Sequence, residues 1–238
     1  MARRATDGRM RGVTRRDAPR GSGPRASADA IIRGIDPYAI TTLEQLRAVY
    51  PEPAERAVLK ELDHLDEHCR DFIARSPFVL VASANGRGEC DVSPKGGPPG
   101  FVRTSGDRQI LIPDATGNRR LDSLQNMLEN PRVGLVFLIP GMGETLRVNG
   151  GVELTRDPAL LDGLATGGRA AKLALVVTVE QAYLHCAKSI LRSRLWDQST
   201  WQAAEDLPSA AAILNDHIGI GDLAASAAAL ADSYTNRI

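Results

Sequence analysis

The feature that most constrains how this 238-residue chain can fold is a change of period at Phe78. Before it, apolar residues recur every three or four positions, as on one face of a helix. After it, short β-favouring runs alternate with Gly, Asn, Asp and Ser turns, as in hairpins. A strand over 78–82 meets the turn Asn85-Gly86-Arg87-Gly88 and returns over 89–92. A Pro/Gly loop at 94–100 leads to strands over 101–104 and 109–112, joined by a Ser105-Gly106-Asp107 turn. A helix over 119–129 stops before Pro131, and the apolar run 133–139 reads as a strand buried on both faces. A turn at 141–143 then introduces strands at 144–149 and 151–155, a helix at 157–164 and a buried strand at 173–179. A last strand end at 183–186 runs directly into a helix over 187–195. Six or seven strands with one intervening helix, flanked by helices at both ends, make an α+β barrel.

Ahead of the sheet, Thr41 and Thr42 can cap a helix over 43–50 that Pro51 and Pro53 end. A longer amphipathic helix is expected over 54–75, with Val58, Leu62, Leu65, Cys69 and Phe72 on its apolar face. After Pro208 the chain is Ala-rich and helical in two pieces, split by Gly219 and Gly221. The expected organisation is an Arg-rich, disordered arm (1–30), N-terminal helices (31–76), the barrel (77–200) and a helical extension (201–238). Residues 1–25 hold eight arginines against two aspartates and too few apolar side chains to offset the entropy of ordering.

Over the whole chain 29 basic residues balance 29 acidic ones, so the body carries a negative surplus that mirrors the positive arm. That balance argues against a nucleic-acid or membrane footprint over the protein as a whole. No apolar run reaches the roughly 18 residues of a membrane span. Cys69, Cys90 and Cys186 are odd in number, far apart and outside any CxxC pattern, which suits a reducing compartment and no structural zinc. The expectation is a soluble, cytoplasmic protein.

Chemistry concentrates in two segments. Asn118, Arg119 and Arg120 follow Gly117 at the expected start of a helix, where unpaired N–H groups favour an anion and two guanidinium groups can clamp a phosphate. Taken alone, the pair reads more readily as solvated arginines on a helix start. The segment Asp91-Val92-Ser93-Pro94-Lys95-Gly96-Gly97 adds a hydroxyl, an ammonium and two glycines just after a strand.

These pieces carry a family resemblance. Ile112-Pro113-Asp114, the turn Gly117-Asn118-Arg119-Arg120, the helix ending Glu129-Asn130-Pro131-Arg132-Val133 and the strand after it are similar, in order and spacing, to the pyridoxamine 5'-phosphate oxidase superfamily of FMN-binding split barrels. Ser93-Pro94-Lys95-Gly96 and the run from His185-Cys186-Ala187-Lys188 to Trp196 resemble a less characterised branch of it. The likeness extends over about residues 70–200. It implies a six- to seven-stranded antiparallel split β-barrel with flanking N- and C-terminal helices, holding FMN at a homodimer interface. By the same resemblance Arg119 and Arg120 hold the FMN phosphate, with Asn118 alongside and Ser93 and Lys95 across the groove. Thr145 would stand at the flavin ring edge. Lys188, Arg192 and Trp196, at spacing four on one helix, would reach in from the second subunit, and Lys95 or Lys188 could stabilise the reduced flavin. Trp196 also has a plain reading as a packing aromatic.

The departures from the family pattern matter as much. Pyridoxamine phosphate oxidases themselves carry an Arg- and Ser-containing segment for the substrate phosphate and a C-terminal Arg-His pair. Here 165–172 lacks the Ser, and nothing after Trp196 matches the pair. Vitamin B6 oxidation is not the expected activity. His64 and His68 lack the Glu of an HExxH zinc helix, so no metal is expected, and His185 and Cys186, adjacent on a strand, point to opposite faces. The expected function is an FMN-dependent oxidation or reduction of a small molecule, with NAD(P)H or another electron donor. The alternatives are a non-catalytic flavin or haem binder, with His185 as the axial ligand, and an F420-dependent reductase on the same barrel. No acid or base can be named, and flavin hydride transfer requires none.

Overall fold

The computed structural model describes residues 38–114, 119–166, 169–219 and 221–236. The chain divides into two compact units, one ending at Glu52 and one beginning at Pro53. The first contains helix α1 (Leu43–Val49), where Thr42 and Gln45 form a capping box. The Gln45 N–H donates to Thr42 Oγ1 at 3.2 Å and the Thr42 N–H to Gln45 Oε1 at 3.2 Å. The Arg-rich arm lies outside the described residues.

In the second unit the expected helix over 54–75 is two helices, α2 (Glu55–Leu59) and α3 (Glu67–Arg75). The intervening backbone has better partners than a helix would give it. Leu62 exchanges hydrogen bonds with Ala182 at 2.9 and 2.8 Å, Leu65 N–H donates to the Asp107 carbonyl at 2.7 Å, and the Asp66 carboxylate restarts the helix by accepting from Cys69 N–H. His64 therefore precedes α3 and shares no helix face with His68.

The strands are β1 (Phe78–Ala84), β2 (Cys90–Gly96), β3 (Arg103–Ser105), β4 (Gln109–Pro113), β5 (Arg132–Leu138), β6 (Thr145–Thr155), the small hairpin β7 (Ala165–Thr166) and β8 (Arg169–Ala170), and β9 (Ala174–His185). Seven form one antiparallel sheet in the order β2-β1-β5-β6-β9-β4-β3. Its edges, β2 and β3, do not pair, so the barrel is split. One face of the sheet buries Val79, Val81, Leu135, Phe137, Leu146 and Val148 against Phe72 and Ile73 of α3. Along β5 only alternate residues are fully buried, so the run 133–139 covers one face completely and the other in part.

Two expected breaks are absent because the sheet absorbs them. The runs 144–149 and 151–155 are one strand, kinked where the register with β9 shifts between Asn149 and Gly150. A Cβ on Gly150 would lie 2.0 Å from the Thr178 carbonyl oxygen, so glycine is what lets the two strands approach there. The residues 94–96, expected in a loop, continue β2. Proline is tolerated at 94 because β2 is an edge strand with no ladder partner on its outer side. Helix α4 (Asp122–Glu129) connects the two halves of the sheet, α5 (Pro158–Leu161) precedes β7, and α6 (Lys188–Ser193) follows β9. Helices α7 (Ala210–Ile218) and α8 (Leu223–Asn236) form the C-terminal pair, divided as expected at Gly219 and Gly221. Among the described residues no helix is long and apolar enough to cross a membrane.

Candidate functional site

On β2, Asp91, Ser93 and Lys95 stand opposite Ser83, Val81 and Val79 of β1, so the period of two aims all three toward the core side of the sheet. At an edge strand that side is only half covered, and polar groups finish it. Lys95 Nζ lies 2.8 Å from Asp114 Oδ1 at the end of β4, with the two side chains 14% and 23% exposed. Asp91 accepts a short hydrogen bond from Ser123 Oγ, and Asn126 Nδ2 donates to Ser83 Oγ at 3.2 Å. These bonds fasten α4 across β1 and β2, beside Ser93.

Arg120 lies close enough to Asp91 to feel its charge, and it and Arg119 sit on a backbone that the sequence reading did not anticipate. They do not stand at the helix N-terminus, because α4 begins at Asp122, behind a left-handed Leu121 with no side-chain cap. Asp122 occupies the first turn and binds Arg120 itself, Nε to Oδ2 at 2.7 Å. Arg119 and Leu121 both have positive φ, 63° and 62°. Each non-glycine residue held there costs about 1–2 kcal/mol, and such strain clusters at ligand clamps and other functional positions. The Arg120–Asp122 pair is exposed, so solvent screens it and it adds little to stability. Asn118 lies outside the described residues.

Thr145 does not join this group within one chain. Arg147 pairs with Val136, Val136 with Leu80 and Leu80 with Pro94, so these residues share the sheet face opposite Ser93 and Lys95. Thr145 and its cross-strand partner His185 lie on that opposite face, two residues along from Arg147 and Tyr183. Burial, and then the charges of Arg147 and Lys60, hold the His185 imidazole below its ordinary pKa, which favours the neutral ring. Lys60 Nζ donates to the Leu184 carbonyl at 2.7 Å and sits 5.5 Å from the centre of the Tyr183 ring.

The profile of the family described as pyridoxamine 5'-phosphate oxidase matches residues 65–186, just over half of the chain. The chain belongs to this family. The matched region runs from before α3 to the end of β9. It contains Ser93, Lys95, Arg119, Arg120 and Thr145 and stops short of Lys188, Arg192 and Trp196. No curated protein matches the chain. Similar solved structures include a pyridoxamine 5'-phosphate oxidase-related, FMN-binding protein from Nostoc punctiforme, 12% identical with a TM-score of 0.34 over 50% of this chain and 85% of that one. Group A Streptococcus HupZ is 18% identical with a TM-score of 0.40 over 50% and 93%. The haem storage protein HutZ from Vibrio cholerae is 12% identical with a TM-score of 0.35 over 51% and 94%.

Beyond the family match, the expected face of Lys188, Arg192 and Trp196 is interrupted. Helix α6 ends at Ser193, where Arg194 turns left-handed at φ 52° and ties its guanidinium to Asp197, so Trp196 lies past the helix. The Trp196 indole N–H donates to the Met142 carbonyl at 2.8 Å, anchoring the chain after α6 to the turn at 141–143. Gly143 is part of the same packing, since a Cβ there would meet Ala187 Cβ at 2.8 Å. The polar end of Trp196 is thus engaged by its own chain, as the packing reading had it, while Lys188 and Arg192 remain exposed. Sequence reasoning gave no role to Asp114, Asp91, Arg147 or Lys60. Asp114 ends a strand and could have been weighed as the counter-charge of Lys95. Arg147 could have been found as a charged residue set between Leu146 and Val148 in a largely apolar strand. Among the described residues no three His, Cys, Asp or Glu side chains converge as a metal site.

Proposed function

We propose that the protein is an FMN-dependent oxidoreductase acting on a small molecule, with the flavin held between two copies of the chain. The observation that carries this reading is the strained turn Arg119–Leu121, whose Arg120 lies close enough to Asp91 to feel its charge, on the β2 edge that also bears Ser93 and Lys95. Family membership supports it. The donor set fits a phosphate ester: Arg119 and Arg120 supply bidentate donors, Lys95 a compact positive charge and Ser93 a hydroxyl. When bound, the isoalloxazine ring would supply the hydride or electron transfer. The chain's own residues bind and orient it, and they bias its charge state electrostatically.

The split of the candidate residues supports the two-copy arrangement. Thr145 lies on the sheet face away from Lys95, so both can approach one flavin only if they come from different chains. Lys188 and Arg192 extend from the end of β9 beside Thr145 and are available to the same interface. Reduced nicotinamide is the electron donor to be tried first. The test is the double variant Arg119→Ala/Arg120→Ala, which should purify without flavin while keeping its far-ultraviolet circular dichroism. Full flavin occupancy in that variant contradicts the phosphate assignment.

A second reading, a haem binder, draws on His185, whose neutral imidazole is the form that ligates iron. A Soret band lost in His185→Gln would select it. An F420-dependent reductase would instead bind the deazaflavin in a spectral titration and ignore FMN.

A further inference from the structure

We propose that Arg147, with Lys60 and His185 beside it, forms a second anion-binding site, on the sheet face opposite Lys95, that takes a carboxylate or phosphate group of a small ligand. The first observation is an unmet donor. Arg147 Nε is buried without a hydrogen-bond partner, and among the described residues Arg147 takes part in no ion pair. A buried guanidinium donor ordinarily has an acceptor. Its strand neighbours do not supply one: Val136 is apolar, Tyr183 lies beneath Lys60, and Asn149 donates its amide N–H to Gln181 and makes no bond to Arg147.

The second observation is convergence. Arg147 faces Tyr183, and His185 is the next residue on the same face of β9. Lys60 is fixed above that strand by its bond to the Leu184 carbonyl. Arg147 and Lys60 both act on His185 with the sign of unrelieved positive charge, and no carboxylate offsets them. Two permanent cations and an imidazole around an unmet N–H complement an anion with two or more oxygens. A neutral ligand could accept from the donor but would leave the two positive charges unbalanced.

This site is distinct from the flavin phosphate site of the proposed function. The sheet separates it from Lys95 within each chain, in the two-copy arrangement it would adjoin the flavin through Thr145, and the inference stands or falls on Arg147, whether or not flavin binds.

The test is a titration of the full-length protein, flavin-loaded and flavin-free, with inorganic phosphate at constant ionic strength held by chloride. It is followed through the His185 imidazole resonances, assigned by comparison with His185→Gln. The expected result is a saturable shift with a rise in the His185 titration midpoint, because the bound anion offsets Arg147 and Lys60. Arg147→Met should weaken the response roughly tenfold or more, as loss of a charge-assisted hydrogen bond does. Arg147→Lys, which keeps the charge but loses Nε, should also weaken it and reports the same point if the methionine variant misfolds. Arg119→Ala/Arg120→Ala should respond like the parent. A response no larger than that to chloride, or one that survives both Arg147 variants, overturns the proposal. So does release of FMN in step with phosphate binding, which would assign Arg147 to the cofactor. A protein that binds no FMN yet shows the Arg147-dependent response retains this site and loses the flavin reading.

Discussion

Lys95 and Asp114 offer a perturbation whose sign separates a phosphate site from a structural ion pair. At 2.8 Å the gross attraction is about 6 kcal/mol for an effective dielectric near 20, most of it returned as the cost of dehydrating two largely covered side chains. Removing Lys95 as Lys95→Met strands the Asp114 carboxylate and should destabilise the fold by roughly 2 kcal/mol. Asp114→Asn keeps an acceptor in place and should cost about 1 kcal/mol. Their effects on FMN should run in opposite directions. A phosphate dianion on Lys95 would lie about 6 Å from the Asp114 carboxylate, and at an effective dielectric of about 40–80 their repulsion is roughly 1–3 kcal/mol. Asp114→Asn should therefore bind FMN about tenfold to a hundredfold more tightly, although it is less stable, while Lys95→Met binds it at least about tenfold more weakly. Flavin fluorescence quenching on titration of the flavin-free protein measures the affinities, and thermal unfolding measures the stabilities. If Asp114→Asn loses affinity along with stability, Lys95 and Asp114 are scaffold and do not meet the phosphate.

Other expectations follow from the same structure. Burial, with Asp66 beside it, raises the Cys69 thiol to about 12, whereas Cys90 and Cys186 are exposed. Two of the three thiols should react promptly with a disulfide reagent in the native protein and the third only in denaturant; three prompt thiols would contradict the packing of α3. Because the folded pKa of His185 lies below its unfolded value, the unfolded chain takes up that proton first. Stability should thus fall as pH drops below about 6.5, and chemical denaturation of His185→Gln should show a shallower fall. Gly150→Ala forces β6 and β9 apart at Thr178 and should lower stability by about 3 kcal/mol or more, a drop of roughly 6–12 °C in melting temperature; an unchanged melting curve refutes the close approach. Asp66→Ala removes the cap that starts α3 and should cost about 1 kcal/mol in the same assay.

The strand count, the hairpin at 85–88 and the two C-terminal helices were legible because each rests on local signals: alternation, turn residues and glycine punctuation. Failures came where a distant partner decided the outcome. Leu62 would continue a helix by its spacing, but the backbone of Ala182 claims it. Pro94 to Gly96 looked like the start of a loop because of the proline, and only the sheet order shows that β2 is an edge. The two arginines were expected at the start of the helix, which begins instead at Asp122. Their offset from the helix arises from left-handed backbone at Arg119 and Leu121, residue types that do not announce such a conformation. For the same reason the division of the candidate site between two sheet faces could not be read from spacing alone. It needs the register of β1, β5 and β6.

The measurement that bears most directly on the central claim is the visible absorption spectrum of the purified protein, recorded before and after anaerobic addition of NADH and then NADPH. The account predicts flavin bands in the near ultraviolet and blue that bleach on reduction, and release of FMN on denaturation at about one per chain. A colourless protein that also fails to bind added FMN, or one whose chromophore is a Soret band, would contradict it.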